Sequence, residues 1–202
     1  MDLLKINQEL ADKSPVEIAS WALSIAKKPL VSTNFRPLEA SILHAVYEAS
    51  QGVPVVWIDS GYNTSFTYQH ALEIIDQLEL KIDTFVPKQS VAFRNVTLGI
   101  PEPDTKEHAE FTEQVKLEPF KRAMDKYQPD VWFANLRKGQ TAFRDNLDIV
   151  NLTKEGVLKI CPFYHWSDEQ VEAYLKSNNL SSEDRYYDPT KVHANRECGL
   201  HT

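Results

Sequence analysis

The chain has 202 residues, 42% of them apolar and 25% charged, with a formal net charge of −7. That length fits one domain able to bury a proper core, and the acidic balance argues against broad electrostatic binding of nucleic acid, which needs a basic footprint. No apolar run approaches the ~20 residues needed to cross a membrane, and two cysteines, Cys161 and Cys198, cannot by themselves supply a four-thiolate zinc site or an iron–sulfur cluster.

The stretch MDLLKINQELADKS is acidic and polar and lacks the basic-then-apolar order of a signal peptide, so a cytoplasmic location is the expectation. Five short apolar runs then follow: PLVSTNF (29–35), VPVVWIDS (53–60), KIDTFVP (81–87), DVWFANL (130–136) and VLKICPF (157–163). Most are near-continuous rather than alternating, as strands buried on both faces are. Helical spacing appears between them, over 37–50, 64–79, 111–127 and 167–179, the last opened by a Ser167/Gln170 capping box. The stretch 94–110 has little periodicity and several prolines and reads as a surface excursion or lid. Strands alternating with helices predict an α/β fold: a twisted, mostly parallel five-stranded sheet with helices on both faces. Ligands of such sheets bind beyond the C-terminal strand ends, near the switch in strand order.

The segments just after each run are therefore the ones to inspect. STNFRPLE (32–39) joins a strand to a helix, and Ser32, Thr33 and Arg36 with exposed backbone N–H groups suit an anion; with no glycine it is neither a P-loop nor a dinucleotide fingerprint. In WIDSGYNTSFTY (57–68), Asp59 stands at a strand end, where an acid either meets a ribose hydroxyl or an amine, or caps the following helix. WFANLRKGQTAFRDNL (132–147) puts Arg137, Lys138, Gln140 and Arg144 in one loop, which is either an oxyanion clamp or a solvated basic turn. His70, His108, His165 and His193 show no metal-ligand spacing, and no metal is expected. Cys161, inside VLKICPF, reads as a buried small hydrophobe. Cys198 lies among Arg196, Glu197 and His201: the two basic residues favour a reactive thiolate and Glu197 opposes it, so the choice is between a nucleophile and an incidental thiol.

RECGLH at 196–201 resembles the signature of the assimilatory sulfonucleotide reductases, chiefly phosphoadenosine phosphosulfate (PAPS) reductase. IDSGYNTSFTY (58–68), KLEPFKRAM (116–124), WFANLRKGQTAFRDNL and VLKICPFYHWSDEQVEAYL (157–175) resemble further family segments in the same order, so the likeness spans roughly residues 28–202. The resemblance implies an adenine-nucleotide α-hydrolase-like fold and one domain over 1–202 with a mobile tail from about 185. It implies attack by Cys198 on the sulfur of PAPS, an S-sulfocysteine, and release of sulfite by reduced thioredoxin or glutaredoxin. Arg196 and His201 then match residues flanking the nucleophile. Arg137, Lys138, Gln140 and Arg144 match the basic substrate loop; Ser32 and Thr33 match the pyrophosphate loop; Asp59, Ser60, Gly61 and Tyr62 match a second nucleotide-side segment. A homodimer is implied as well.

Three departures stand out. The first loop lacks the family's glycine after its serine-rich start, the segment SSEDRYYDPTKVHAN (181–195) is short, leaving Tyr186, Tyr187 and Lys191 to finish the pocket, and Lys138-Gly139 replaces two larger residues. The cysteine pairs that bind a [4Fe–4S] cluster in reductases of adenosine phosphosulfate (APS) are missing, so cluster-free PAPS reduction is favoured over clusterless APS reduction. The rival readings are a nucleotide-binding relative without turnover and an adenylating enzyme of the pyrophosphatase-loop type, against which the absent S-G-G-x-D-S loop argues.

Overall fold

The apolar runs do form strands, because continuous burial suits a sheet covered on both sides. The computed structural model describes residues 1–191. Strand β1 (Pro29–Thr33) pairs in parallel with β2 (Val55–Ile58) and with β4 (Val131–Phe133); β2 pairs with β3 (Ile82–Phe85), and β4 with β6 (Leu158–Ile160), again in parallel. The sheet has a sixth strand, β5 (Val150–Leu152), which the apolar pattern did not predict. It is short, half exposed and antiparallel to β6, with Val150 opposite Ile160, and a turn containing Gly156 joins the two. The order is β3-β2-β1-β4-β6-β5, so the chain reverses its direction of travel between β1 and β4.

Alternation along the strands divides the core. Val31, Val55 and Trp57 face α1 (Leu3–Leu10), α2 (Pro15–Ile25), α3 (Ala40–Ala49), α4 (Ser65–Gln77) and α8 (Asp168–Ser177), and with Ile18, Ile42, Ile74 and Leu175 they make the main hydrophobic cluster. Leu30, Val56, Ile58 and Phe85 face the opposite way and pack on Ala123 of α7 (Glu118–Tyr127). Helices thus lie on both faces, as expected, but unequally.

Several boundaries differ from the sequence expectation, each for a local reason. The helix expected from Pro37 begins at Ala40, because Leu38 is left-handed at φ +66° and no helix passes through it. Residues 94–110 are not a bare excursion: α5 (Val91–Thr97) and α6 (Lys106–Thr112) are capped by the side chains of Ser90 and Thr105. From α6 the chain runs through a π-helical turn (Glu113–Leu117) directly into α7, so the helix expected over 111–127 starts earlier and carries a bulge.

The segment 181–191 has no regular structure, yet it is bonded into the body along its length. Ser182 Oγ accepts from Leu38 N at 3.1 Å, Tyr186 Oη from Asn34 Nδ2 at 3.0 Å, and His108 Nε2 lies 3.1 Å from the Pro189 carbonyl. The tail expected from about 185 is therefore, over 185–191, a strap across the C-terminal edge of the sheet.

Candidate active site

The reversal between β1 and β4 leaves a crevice where the two strands end, and the polar residues converge there. One lobe of the resulting cleft encloses about 560 Å³, counting space open to solvent, and is lined by Ser32, Thr33, Arg36, Glu39, Asn135 and Lys116 among others. A second lobe of about 940 Å³ is lined by Lys138, Gln140, Thr141 and the start of α8. Arg36, Arg144 and Lys191 border both lobes.

Each wall has a local cause. The first loop turns without glycine: Phe35 is left-handed at φ +50° and fully buried, its ring edge-on to Trp57 at 4.9 Å. Packing of the ring holds a backbone conformation that a non-glycine residue otherwise avoids. Thr33 Oγ1 accepts from Phe35 N at 3.1 Å, and Arg36 pairs with Glu39, three residues on, at 2.8 Å and reaches across the crevice to the carbonyl oxygen of Asn135. The basic loop is braced from within. Tyr164 Oη donates to the Arg144 carbonyl at 2.8 Å, Arg144 N donates to Thr141 Oγ1, and the Arg144 guanidinium donates to Gln140 Oε1. Gly139, at φ +82°, supplies the turn that carries Lys138 to the rim.

Lys116 enters from the π-turn, and nothing in the chain's local pattern distinguished it from the rest of an amphipathic helix. It is nearly buried and donates to Asp188 Oδ2 at 2.6 Å and to Thr190 Oγ1 at 3.3 Å, tying the strap to the cleft. The Lys116 ammonium and the hydroxyl of Thr190 outweigh the cost of burial and hold the Asp188 carboxyl down at about 2. Lys191 is the opposite case: burial, then Arg36, Lys116 and Arg144, push its ammonium down to about 8. Among the described residues, five cations thus line the two lobes, Arg36, Lys116, Lys138, Arg144 and Lys191, against the carboxylates of Glu39, Asp168 and Glu169.

The remaining sequence candidates sit elsewhere. Arg137 is buried behind the cleft, where it pairs with Asp168 at the start of α8. Asp59 is also buried, and its carboxylate is occupied by its own loop, accepting from Gly61 N at 2.8 Å, Asn63 Nδ2 at 2.8 Å and Tyr68 Oη at 3.0 Å. Burial and that carboxylate raise the Tyr68 phenol to about 12. Ser60 accepts from Tyr62 N, and the Tyr62 hydroxyl donates to Asn95 Oδ1 on α5. None of residues 59–62 lines either lobe. Tyr186 contacts the first loop through Asn34, whereas Tyr187 is about half exposed. Cys161 is fully buried, and burial raises its thiol to about 12, which makes it inert as a nucleophile. Arg196, Cys198 and His201 lie outside the described residues. Among the described residues no cluster of His, Cys, Asp or Glu has the makings of a metal site, and no helix is long and apolar enough to cross a membrane.

Comparison with known proteins places the fold and the family. The family model for the phosphoadenosine phosphosulfate reductase domain matches residues 28–188. A phosphoadenosine 5′-phosphosulfate reductase of Aliivibrio salmonicida is 31% identical over 180 residues, covering 88% of this chain and 71% of that protein. One of Synechococcus is 32% identical over 181 residues, covering 88% and 78%. Among solved structures, a phosphate complex of the PAPS reductase of Candida auris superposes with a TM-score of 0.76 at 22% identity over 88% of this chain and 86% of that one. A more distant likeness, with a TM-score of 0.57 at 11% identity over 89% and 75%, is to an NH3-dependent NAD synthetase of Campylobacter jejuni. With most of its length matched by the family model and by these relatives, the chain belongs to the phosphoadenosine phosphosulfate reductase family.

Proposed function

We propose that the chain reduces PAPS to sulfite and adenosine 3′,5′-bisphosphate in sulfate assimilation, with Cys198 as nucleophile. The observation that carries this reading is a cation-walled, two-lobed cleft at the strand switch whose wall includes Lys191, seven residues before Cys198. Seven residues span at most ~25 Å when extended, so the thiol has the reach to enter any part of that cleft.

The chemistry follows from the charges. The Cys198 thiolate attacks the sulfuryl sulfur; a sulfur–sulfur bond forms and the bond from sulfur to the bridging phosphate oxygen breaks. The electron pair leaves on the bisphosphate. Arg36, Lys116, Arg144 and Lys191 offset the charge of a polyanion that would otherwise repel a thiolate, and they stabilise the departing oxygen. Arg196 and His201, in the same segment as the thiol, favour its ionised form. Lys138 and Gln140 hold the nucleotide from the second lobe, and Ser32 and Thr33 hold it at the end of β1. A dithiol reductant, thioredoxin or glutaredoxin, then attacks the S-sulfocysteine, displaces sulfite and ends as a disulfide. No step draws on a cluster, since two cysteines in the whole chain fall short of the four that a [4Fe–4S] site takes. The surplus of cations favours PAPS over APS, which lacks one phosphate. The homodimer belongs to the same reading through the family likeness.

The test is incubation with PAPS and, separately, APS without reductant, followed by intact mass. One SO3 unit gained from PAPS, and absent in Cys198→Ser, is the expected result. Sulfite release undiminished in Cys198→Ser overturns the mechanism, and a gain from APS alone reassigns the substrate.

A further inference from the structure

Arg36 stands on one side of the switch crevice and Asn135 on the other, just beyond the ends of β1 and β4. The loop that carries Arg36 is held in a conformation its residues resist. Phe35 and Leu38 are left-handed at φ +50° and +66°, and no glycine relieves either of them. Phe35 has its buried ring as support. Leu38, itself buried, is held at both backbone groups: its carbonyl accepts from Asn135 Nδ2 at 3.1 Å, and its N–H donates to Ser182 Oγ at 3.1 Å. The main chain of Asn135 makes the second half of a clasp. Its carbonyl accepts from the Arg36 guanidinium, whose Nε also donates to Glu39 at 2.8 Å. Asn135 is 3% exposed, and its Oδ1 is buried and meets no donor among the described residues. An unpaired buried acceptor is a standing cost that an apolar residue here would avoid. Stability therefore does not explain the amide; the donor it supplies to Leu38 does.

We infer that Asn135 is a positioning residue of the anion site: its side-chain amide holds Leu38 left-handed, its carbonyl holds the Arg36 guanidinium, and together they fix the direction in which Arg36 meets a ligand. The inference rests on the proposed nucleotide site and names the residue on which that site's first-loop cation depends. Removing the side chain leaves the carbonyl in place but frees the Leu38 backbone to relax, and the loop that relaxes is the one that aims Arg36. A misplaced guanidinium loses the paired geometry by which it grips an oxyanion.

A double-mutant cycle tests it, with adenosine 3′,5′-bisphosphate and, separately, inorganic pyrophosphate as calorimetric probes. Asn135→Ala is expected to weaken both about tenfold where Arg36 is present and by less than about twofold in Arg36→Ala, because the loss passes through Arg36. Hydrogen exchange gives a readout that needs no ligand. The amides of Leu38, Glu39 and Ser41, bonded to Ser182, Arg36 and Leu38, are expected to exchange at least about tenfold faster in Asn135→Ala, while those of β2 keep their rates. Unchanged affinity, an equal loss in both backgrounds, or exchange that quickens in β2 as much as in the loop overturns the inference. Failure of both probes to bind overturns it too, and so does an Asn135→Ala chain that no longer folds, since the amide would then serve stability. If pyrophosphate follows the expected pattern and the bisphosphate does not bind, the positioning role stands and the nucleotide reading falls.

Discussion

The loops after β1 and β2 occupy equivalent places at adjacent strand ends, yet they are finished in opposite ways. The β2 loop completes itself: Asp59 takes donors from Gly61, Asn63 and Tyr68, and Ser60 takes one from Tyr62. The β1 loop has internal bonds too, Phe35 N to Thr33 and Arg36 to Glu39, but it is also tied to other parts of the chain, through Asn34 to Tyr186, Leu38 to Ser182 and Arg36 to Asn135. A polar side chain already spent within its own loop has little left for a ligand. One whose loop is closed by distant segments stays facing the space between them. Position at a strand tip is thus a necessary sign of a site and an insufficient one.

The largest way to break this contrast is to cut the strap loose. Asp188→Asn leaves Lys116 buried without its counter-charge, and a loss of about 3–5 kcal/mol in urea unfolding is expected. The sign with pH follows from the depressed carboxyl. Asp188 adds stability above its ordinary range near 4, and that contribution is lost as pH falls toward 2, so the acid limb of the stability curve flattens in the variant. A smaller effect separates the loops by ligand. Arg144→Ala is expected to weaken binding of adenosine 3′,5′-bisphosphate by ~1–3 kcal/mol, the cost of a lost charged hydrogen bond. Asp59→Asn is expected to leave that affinity within about twofold while lowering stability by about 1 kcal/mol; a tenfold loss of affinity in Asp59→Asn would return the β2 loop to the binding site. The smallest effect compares two glycines by thermal melt. Gly139→Ala meets no atom within 4 Å, so only its left-handed backbone resists, at about 1 kcal/mol. Gly61→Ala shares that backbone cost and also sets a Cβ 2.5 Å from Val91 Cγ2, so it should melt lower.

Much of the fold was legible because burial on both faces leaves continuous apolar runs, and the five long ones name β1, β2, β3, β4 and β6. Strand β5 escaped because three half-exposed residues carry no such run; its pairing comes from the turn at Gly156 and from Asn7 of α1, which exchanges hydrogen bonds with the Val150 backbone. The second of the two leading helices was legible in principle, since Ser14 and Glu17 form a capping box ahead of α2. Within the site, Ser32, Thr33, Arg36 and Arg144 were readable because each follows a strand. Lys116 was not, since what makes it a cleft residue is a π-turn that redirects one side chain out of a helical stripe. Arg137 and Arg144 share one loop and one chemistry, and only tertiary packing decides that the first braces α8 while the second faces the cleft.

The anchored strap has a consequence for how the cleft is assembled. Lys116 meets Asp188 across 72 positions of chain, and Asn34 meets Tyr186 across 152. Contacts so remote in sequence cost loop-closure entropy before they return any stability, so this wall of the cleft is completed only once the strands that carry both ends have come together.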